Sequence, residues 1–134
     1  MKYVLDTNAV SALMKGDATV IGRLRRVSKG AVAIPQPVIA ELAYGIERLP
    51  RSKRRQALQE RLDWILKELA RTLWTDAVSE KFGVVKATLE RRGERIEDLD
   101  AAIAAHALAE DAVLVTANVR HLARVPGLKV EDWS

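Results

Sequence analysis

The sequence predicts an α/β fold with a central, mostly parallel sheet flanked by helices. Short apolar runs rich in β-branched residues alternate along the chain with longer stretches of helical periodicity. Strand candidates separated by ten or more helical residues imply parallel pairing through crossover helices, with helices on both faces of the sheet. No internal repeat, low-complexity tract or Gly/Ser-rich linker divides the 134 residues, a length that suits one domain with its own core.

Taken in order, Lys2–Leu5 reads as a short buried strand. It stops at Asp6-Thr7-Asn8, and Val10, Leu13 and Met14 then set a helical pattern over Thr7–Lys15. A second helix is expected over Ala18–Ser28 and a second strand over Ala31–Ile34. Pro35 and Pro37 keep the chain extended, so the next helix begins around Pro37 or Val38 and runs to Leu49. From Ser52 to Ala70 a charged helix carries Leu58, Leu62, Ile65, Leu66 and Leu69 at spacings of three and four, giving one apolar stripe. A strand over Thr72–Trp74 and a helix over Asp76–Arg92 follow. The Ala-rich helix Asp98–Glu110 places Ile103, Ala104, Ala107 and Leu108 on one face, and its small side chains suit close packing on a sheet. Val113–Thr116, a short helix at Val119–Ala123 and Leu128–Val130 complete the series. Trp64, Trp74 and Trp133 read as packing residues, too scattered to make a base-stacking platform. His106 reads as structural and His121 as a surface residue.

Composition narrows the chemistry. The chain has no cysteine, which excludes disulfides, zinc–thiolate sites and thiol nucleophiles. No apolar run approaches the ~20 residues needed to span a bilayer. Asp6 interrupts the first apolar run too early for a signal sequence, so the expected setting is cytoplasmic, away from membranes. A formal charge of +4 leans towards an anionic partner.

In an open parallel sheet, ligands bind beyond the carboxyl ends of the strands. Asp6 follows the first strand, and Glu41 lies one turn into the helix after the second. Asp98 and Asp100 open the Ala-rich helix, and Thr116 and Asn118 follow the strand Val113-Leu114-Val115. Singly, each has an ordinary reading: Asp6 as a helix cap, Glu41 as a residue satisfying the helix dipole, Asp98 or Asp100 as a cap with a first-turn acid beside it. If these ends converge, three or four carboxylates share one cleft. Converging like charges repel unless a cation neutralises them, and hard oxygen ligands without a His or Cys cluster select Mg²⁺ or Mn²⁺. Such a site suits metal-activated water and in-line displacement at a phosphodiester.

Between Arg48 and Arg55, Arg48, Arg51, Lys53, Arg54 and Arg55 make five of eight residues basic. The run reads as a solvated loop and helix start, or as a track for nucleic-acid phosphates beside the Glu41 helix. Arg23, Arg25 and Arg26 form a weaker second cluster.

These residues resemble the PIN-domain ribonucleases, and among them the VapC toxins of toxin–antitoxin pairs. Four pieces carry the resemblance in order: V-L-D-T-N at the start, I-A-E-L-A-Y-G at 39–45, the stretch from Gly93 through D-L-D-A-A-I-A-A-H-A to L-V-T-A-N, and the ending R-V-P-G-L-K-V-E-D-W-S. They span nearly the whole chain. The resemblance implies a single PIN domain over residues 1–134 and an endoribonuclease using Mg²⁺ or Mn²⁺. It assigns Asp6, Glu41 and Asp100 to the catalytic metal site, with Thr7 and Thr116 holding the acids and water. Asp98 is then a neighbour that caps the helix or lends charge. Many relatives have Asp at the fourth position, where this chain has Asn118, an amide that supplies no charge. The resemblance further implies RNA as substrate, tRNA among the candidates, and a cognate antitoxin as partner. Tyr44 and Ile46 lie near the helix edge where such antitoxins dock. A homodimer is the expected assembly.

Two other classes compete. A phosphatase using Asp6 as covalent nucleophile wants a second Asp two residues on, where this chain has Asn8. A non-catalytic PIN-like module binding RNA or protein is favoured by Asn118 and opposed by the retained Asp6, Glu41 and Asp100.

Overall fold

The first strand, β1 (Tyr3–Leu5), pairs on both edges, which is why Val4 and Leu5 are apolar and fully buried. The computed structural model describes all of residues 1–134. β1 is joined by β2 (Val32–Pro35), β3 (Ala70–Thr72), β4 (Val113–Val115) and β5 (Lys129–Glu131) in one sheet of order β3-β2-β1-β4-β5. Every pair is parallel, with Tyr3 opposite both Val32 and Val113 and Leu5 opposite Val115. The chain winds outward from β1 to β3, then crosses to the other side of β1 for β4 and β5. The winding reverses between β1 and β4, and a crevice opens at such a reversal beyond the strand ends.

Seven helices cover the sheet: α1 (Thr7–Met14), α2 (Ala18–Arg25), α3 (Gln36–Glu47), α4 (Lys53–Glu68), α5 (Asp76–Arg91), α6 (Asp98–Ala109) and α7 (Val119–Leu122). One core cluster joins Val4, Leu5 and Ile34 of the sheet to Val10 of α1, Val38 and Leu42 of α3, Leu62 and Ile65 of α4, and Ile103 of α6. A smaller cluster, Val85, Leu89, Ala101, Ala104 and Val125, seals α5 against α6. None of the helices is long and apolar enough to cross a membrane.

Several details depart from the sequence expectations. The third strand is Ala70–Thr72 and not Thr72–Trp74, so α4 ends at Glu68. Register along β2, which sets Ala33 opposite Ala70 and Pro35 opposite Thr72, selects the strand, while the more apolar Leu73 and Trp74 are left 65% and 46% exposed. The third helix starts at Gln36, one residue earlier than expected, with Pro37 in its first turn where the missing N–H costs nothing. The Ala-rich α6 has no single apolar face, because Ala101 to Ala107 are all buried. A helix covered on all sides is apolar all round, and alanine lets both the sheet and α5 approach it. Of the three tryptophans only Trp133 packs fully; Trp64 is 64% exposed on α4.

Candidate active site

Asp6 sits where β1 becomes α1, and it is both cap and cleft residue. Its Oδ1 accepts the Ala9 N–H at 2.8 Å, closing the first turn of α1, while the residue is only 7% exposed. Burial pushes its carboxyl above the ordinary range, and Glu41 pushes further. The Thr116 hydroxyl and the N–H groups of Ala9 and Asn8 partly offset that rise. Glu41 arrives from α3, with its Oε1 accepting the Thr7 hydroxyl at 2.6 Å. Thr7 therefore ties the second acid to the residue that follows the first.

Asp100 comes from the first turn of α6. Burial raises its carboxyl most, followed by Glu41, Asp6 and Glu97, with His121 opposing them. Glu41 lies near enough to raise both Asp6 and Asp100, and Asp6 near enough to raise Asp100, so the three acids face one another from the end of β1, from α3 and from the start of α6. Thr116, at the end of β4, accepts the Asn118 N–H at 2.9 Å, so one hydroxyl organises both Asp6 and the turn into α7.

The supporting acids divide. Asp98 lies on the exposed side of α6 in an ion pair with Lys86 of α5 at 3.1 Å. It does not cap α6, whose N-cap position is Glu97. Glu97 is the residue sequence reading missed. It lines a groove of about 360 Å³ with Arg95, Ile96, Asp100, Asn118 and His121. The local signal was Gly93, which ends α5 with a left-handed φ of +68° while Glu94 N–H bonds the Leu89 carbonyl. That closure turns Arg95–Glu97 directly into the start of the acid-bearing helix. His121 lies on the surface as expected, but in this same groove, with its Nδ1 2.7 Å from Asn118 Oδ1.

The basic run also divides. Arg55 bonds Glu47 Oε2 at 2.8 Å and the Leu49 carbonyl at 3.2 Å, so it clasps the α3–α4 corner. Arg48 lies over the Tyr44 ring at 5.8 Å. Arg51, Lys53 and Arg54 are exposed and enter no ion pair. Ile46 is buried, so of the pair expected at a docking edge only Tyr44, 69% exposed, is offered to a partner.

The donors that face the cleft are oxygens of carboxylates and hydroxyls, which suits a hard divalent cation. No three acidic or histidine side chains stand close enough together to ligate one ion directly. Mg²⁺ tolerates that arrangement, since it keeps several waters and takes one or two carboxylates together with substrate phosphate oxygens.

The PIN domain family model matches residues 3–128, and the chain belongs to that family. It is 36% identical over 99% of its length to Ribonuclease VapC2 of Rickettsia felis, of which it covers 98%. It is 30% identical to the tRNA(fMet)-specific endonuclease VapC of Shigella flexneri, over all of this chain and 99% of that one. Among solved structures, VapBC2 of Rickettsia felis bound to a promoter DNA fragment superposes with a TM-score of 0.91 at 33% identity, with each chain covered in full. Within the PIN domains this chain therefore groups with the VapC proteins.

Proposed function

We propose that this chain is a VapC-type endoribonuclease that depends on Mg²⁺ or Mn²⁺. The observation that carries the reading is the convergence of Asp6, Glu41 and Asp100 at the reversal of the sheet, where Glu41 raises the cost of ionising both aspartates and Asp6 raises that of Asp100. Such repulsion suits a site completed by a cation. When bound there, the metal would lower the pKa of a water and neutralise charge developing on the phosphate. Asp6, Glu41 and Asp100 are the residues that would hold it, one or two of them directly and the remainder through its waters. Asp6 is held by the first turn of α1 and by the Thr116 hydroxyl, so its carboxylate keeps a fixed aim. The Thr7 hydroxyl occupies one Glu41 oxygen and leaves the other for the cleft. Arg51, Lys53 and Arg54 are free to meet RNA phosphates, whereas Arg55 is committed to the corner it clasps.

The VapC relatives support RNA as substrate, with tRNA as the leading class, and the VapBC neighbours support a cognate antitoxin as partner. An open groove of about 660 Å³ between α1, α2 and α4, lined by Leu13, Ile21, Leu24 and the exposed Trp64 and edged by Arg25 and Arg61, offers that antitoxin an apolar seat. A second copy of the chain is the other proposed partner, and sedimentation would show a dimer.

Purified protein incubated with total RNA should cleave it in Mg²⁺ or Mn²⁺, stop in EDTA and recover on metal addition. Asp100→Asn should abolish the cleavage. Cleavage that persists in EDTA, or in a folded Asp100→Asn protein, would overturn the metal mechanism.

A further inference from the structure

The fourth position of the cleft is an amide, and an amide has two unlike ends. Its oxygen can ligate a cation or accept a hydrogen bond, and its NH₂ can only donate. In this structure the oxygen is already taken. Asn118 Oδ1 lies 2.7 Å from His121 Nδ1, one turn along in α7. An oxygen at that distance requires the proton on Nδ1, a state met by the Nδ1–H tautomer and by the imidazolium. The Asn118 backbone is fixed as well, through its N–H on Thr116 Oγ1 at 2.9 Å. The Nδ2 end makes no hydrogen bond within the protein, and Asn118 lines the groove shared by Asp100, Glu97 and Arg95.

We infer that His121 is a positioning residue: its Nδ1–H holds Asn118 Oδ1 out of the metal site, and the amide presents its NH₂ to a non-bridging phosphate oxygen of the RNA beside Asp100. The inference rests on the ribonuclease reading and deepens it. Position 118 in this chain then serves the anionic substrate and not the cation. The same tilt explains how the cleft functions with one carboxylate fewer. A neutral donor stabilises phosphate charge without adding repulsion to Asp6, Glu41 and Asp100. With the proton on Nε2 instead, Nδ1 would accept from the amide and turn Oδ1 towards the groove, so the imidazole tautomer decides which end of Asn118 the substrate meets.

Three measurements on the full chain test this. Long-range ¹H–¹⁵N spectra of the imidazoles in metal-free protein should show the His121 proton on Nδ1, and an Nε2–H-only ring would overturn the proposal. Mn²⁺ binding followed by electron paramagnetic resonance, with no RNA present, should be unchanged in Asn118→Ala, and a severalfold weakening would overturn it by making Oδ1 a ligand. Asn118→Ala should lower kcat/KM for RNA by about ten- to a hundredfold, the loss expected for one donor to a charged acceptor. His121→Ala should lower it in the same direction, while His121→Gln, whose side-chain NH₂ can still donate to Oδ1, should recover part of the loss. Equal damage by Ala and Gln at 121, with both variants folded, would overturn the positioning role. The tautomer and Mn²⁺ measurements need no cleavage, so a failure of the ribonuclease reading would appear separately, as wild-type protein that does not cut RNA.

Discussion

The two ends of α6 carry titratable groups under the same pressure and put it to opposite use. At the N-terminal end Asp100 is partly buried among other acids, and burial raises its carboxyl. Two turns on, His106 is fully buried, and burial lowers its imidazole. Both shifts favour the neutral form, because a low-dielectric surrounding penalises charge of either sign. The difference lies in what can offset the penalty. Asp100 opens onto a solvent groove through which a cation or substrate can arrive. His106 is sealed between Thr72, whose hydroxyl shares a 2.9 Å hydrogen bond with Nδ1, and the edge of Trp74 at 5.7 Å, and its Nε2 has no partner. One end is strained in a way a ligand relieves, and the other is simply packed.

The largest expected effect is on Asp100. Asp100→Asn should cost about a thousandfold or more in RNA cleavage, since several kcal/mol of transition-state stabilisation depend on the cation it would hold. Its folded carboxyl titrates above the unfolded one, so the ionised group lowers stability at neutral pH, and the metal-free variant should melt at or above the wild-type temperature. A clear fall in Tm by calorimetry would mean the residue supports the fold.

At the other end, pH is the probe. The folded His106 imidazole titrates below 6.5. As pH falls through that value the unfolded chain takes up a proton that the folded chain resists. Stability from this group is therefore complete above about pH 6.5 and is lost below it, by up to about 1.4 kcal/mol per pH unit. His106→Leu should flatten the fall in Tm between pH 7 and pH 5, whatever its baseline. An unchanged slope would assign the acid sensitivity elsewhere.

Across the cleft, Asp6 should separate its two jobs. Asn caps a helix about as well as Asp, whereas Ala does not, so Asp6→Ala should be less stable than Asp6→Asn by about 1 kcal/mol. Both should lose cleavage. Equal stability in denaturant titrations would remove the cap from the account. The smallest effect belongs to Asp98, whose exposed pair with Lys86 is worth at most about 0.5–1 kcal/mol. Asp98→Asn should keep nearly full cleavage. A loss comparable to Asp100→Asn would bring Asp98 into the cleft and undo the contrast drawn along this helix.

Much of the site was legible because its residues sit at punctuation points. Asp6 ends an apolar run, Asp100 opens a periodic one, and Thr116 closes β4; strand ends are where an α/β sheet exposes its side chains. Glu97, Arg95 and His121 were not legible as a group. They come from a loop and a four-residue helix with no periodicity to read, and only the left-handed turn at Gly93 and the crossing of β4 bring them together. Leu73 and Trp74 misled for the complementary reason, since hydrophobicity marks a strand and register against β2 decides where it begins.

By itself the sequence determined the alternation of strands and helices, the parallel pairing that crossover helices force, and the three acids placed at strand ends and helix starts. These follow from local chemistry: side-chain period, proline geometry and capping oxygens act within a few residues. Only the tertiary structure decided that Asp98 turns to Lys86 while Asp100 faces Glu41, that Arg55 is committed while Arg51, Lys53 and Arg54 are free, and that the Asn118 oxygen belongs to His121. Each of these is a choice between partners distant in sequence or equivalent in composition, and such choices are made by burial and distance, which the order of residues does not contain.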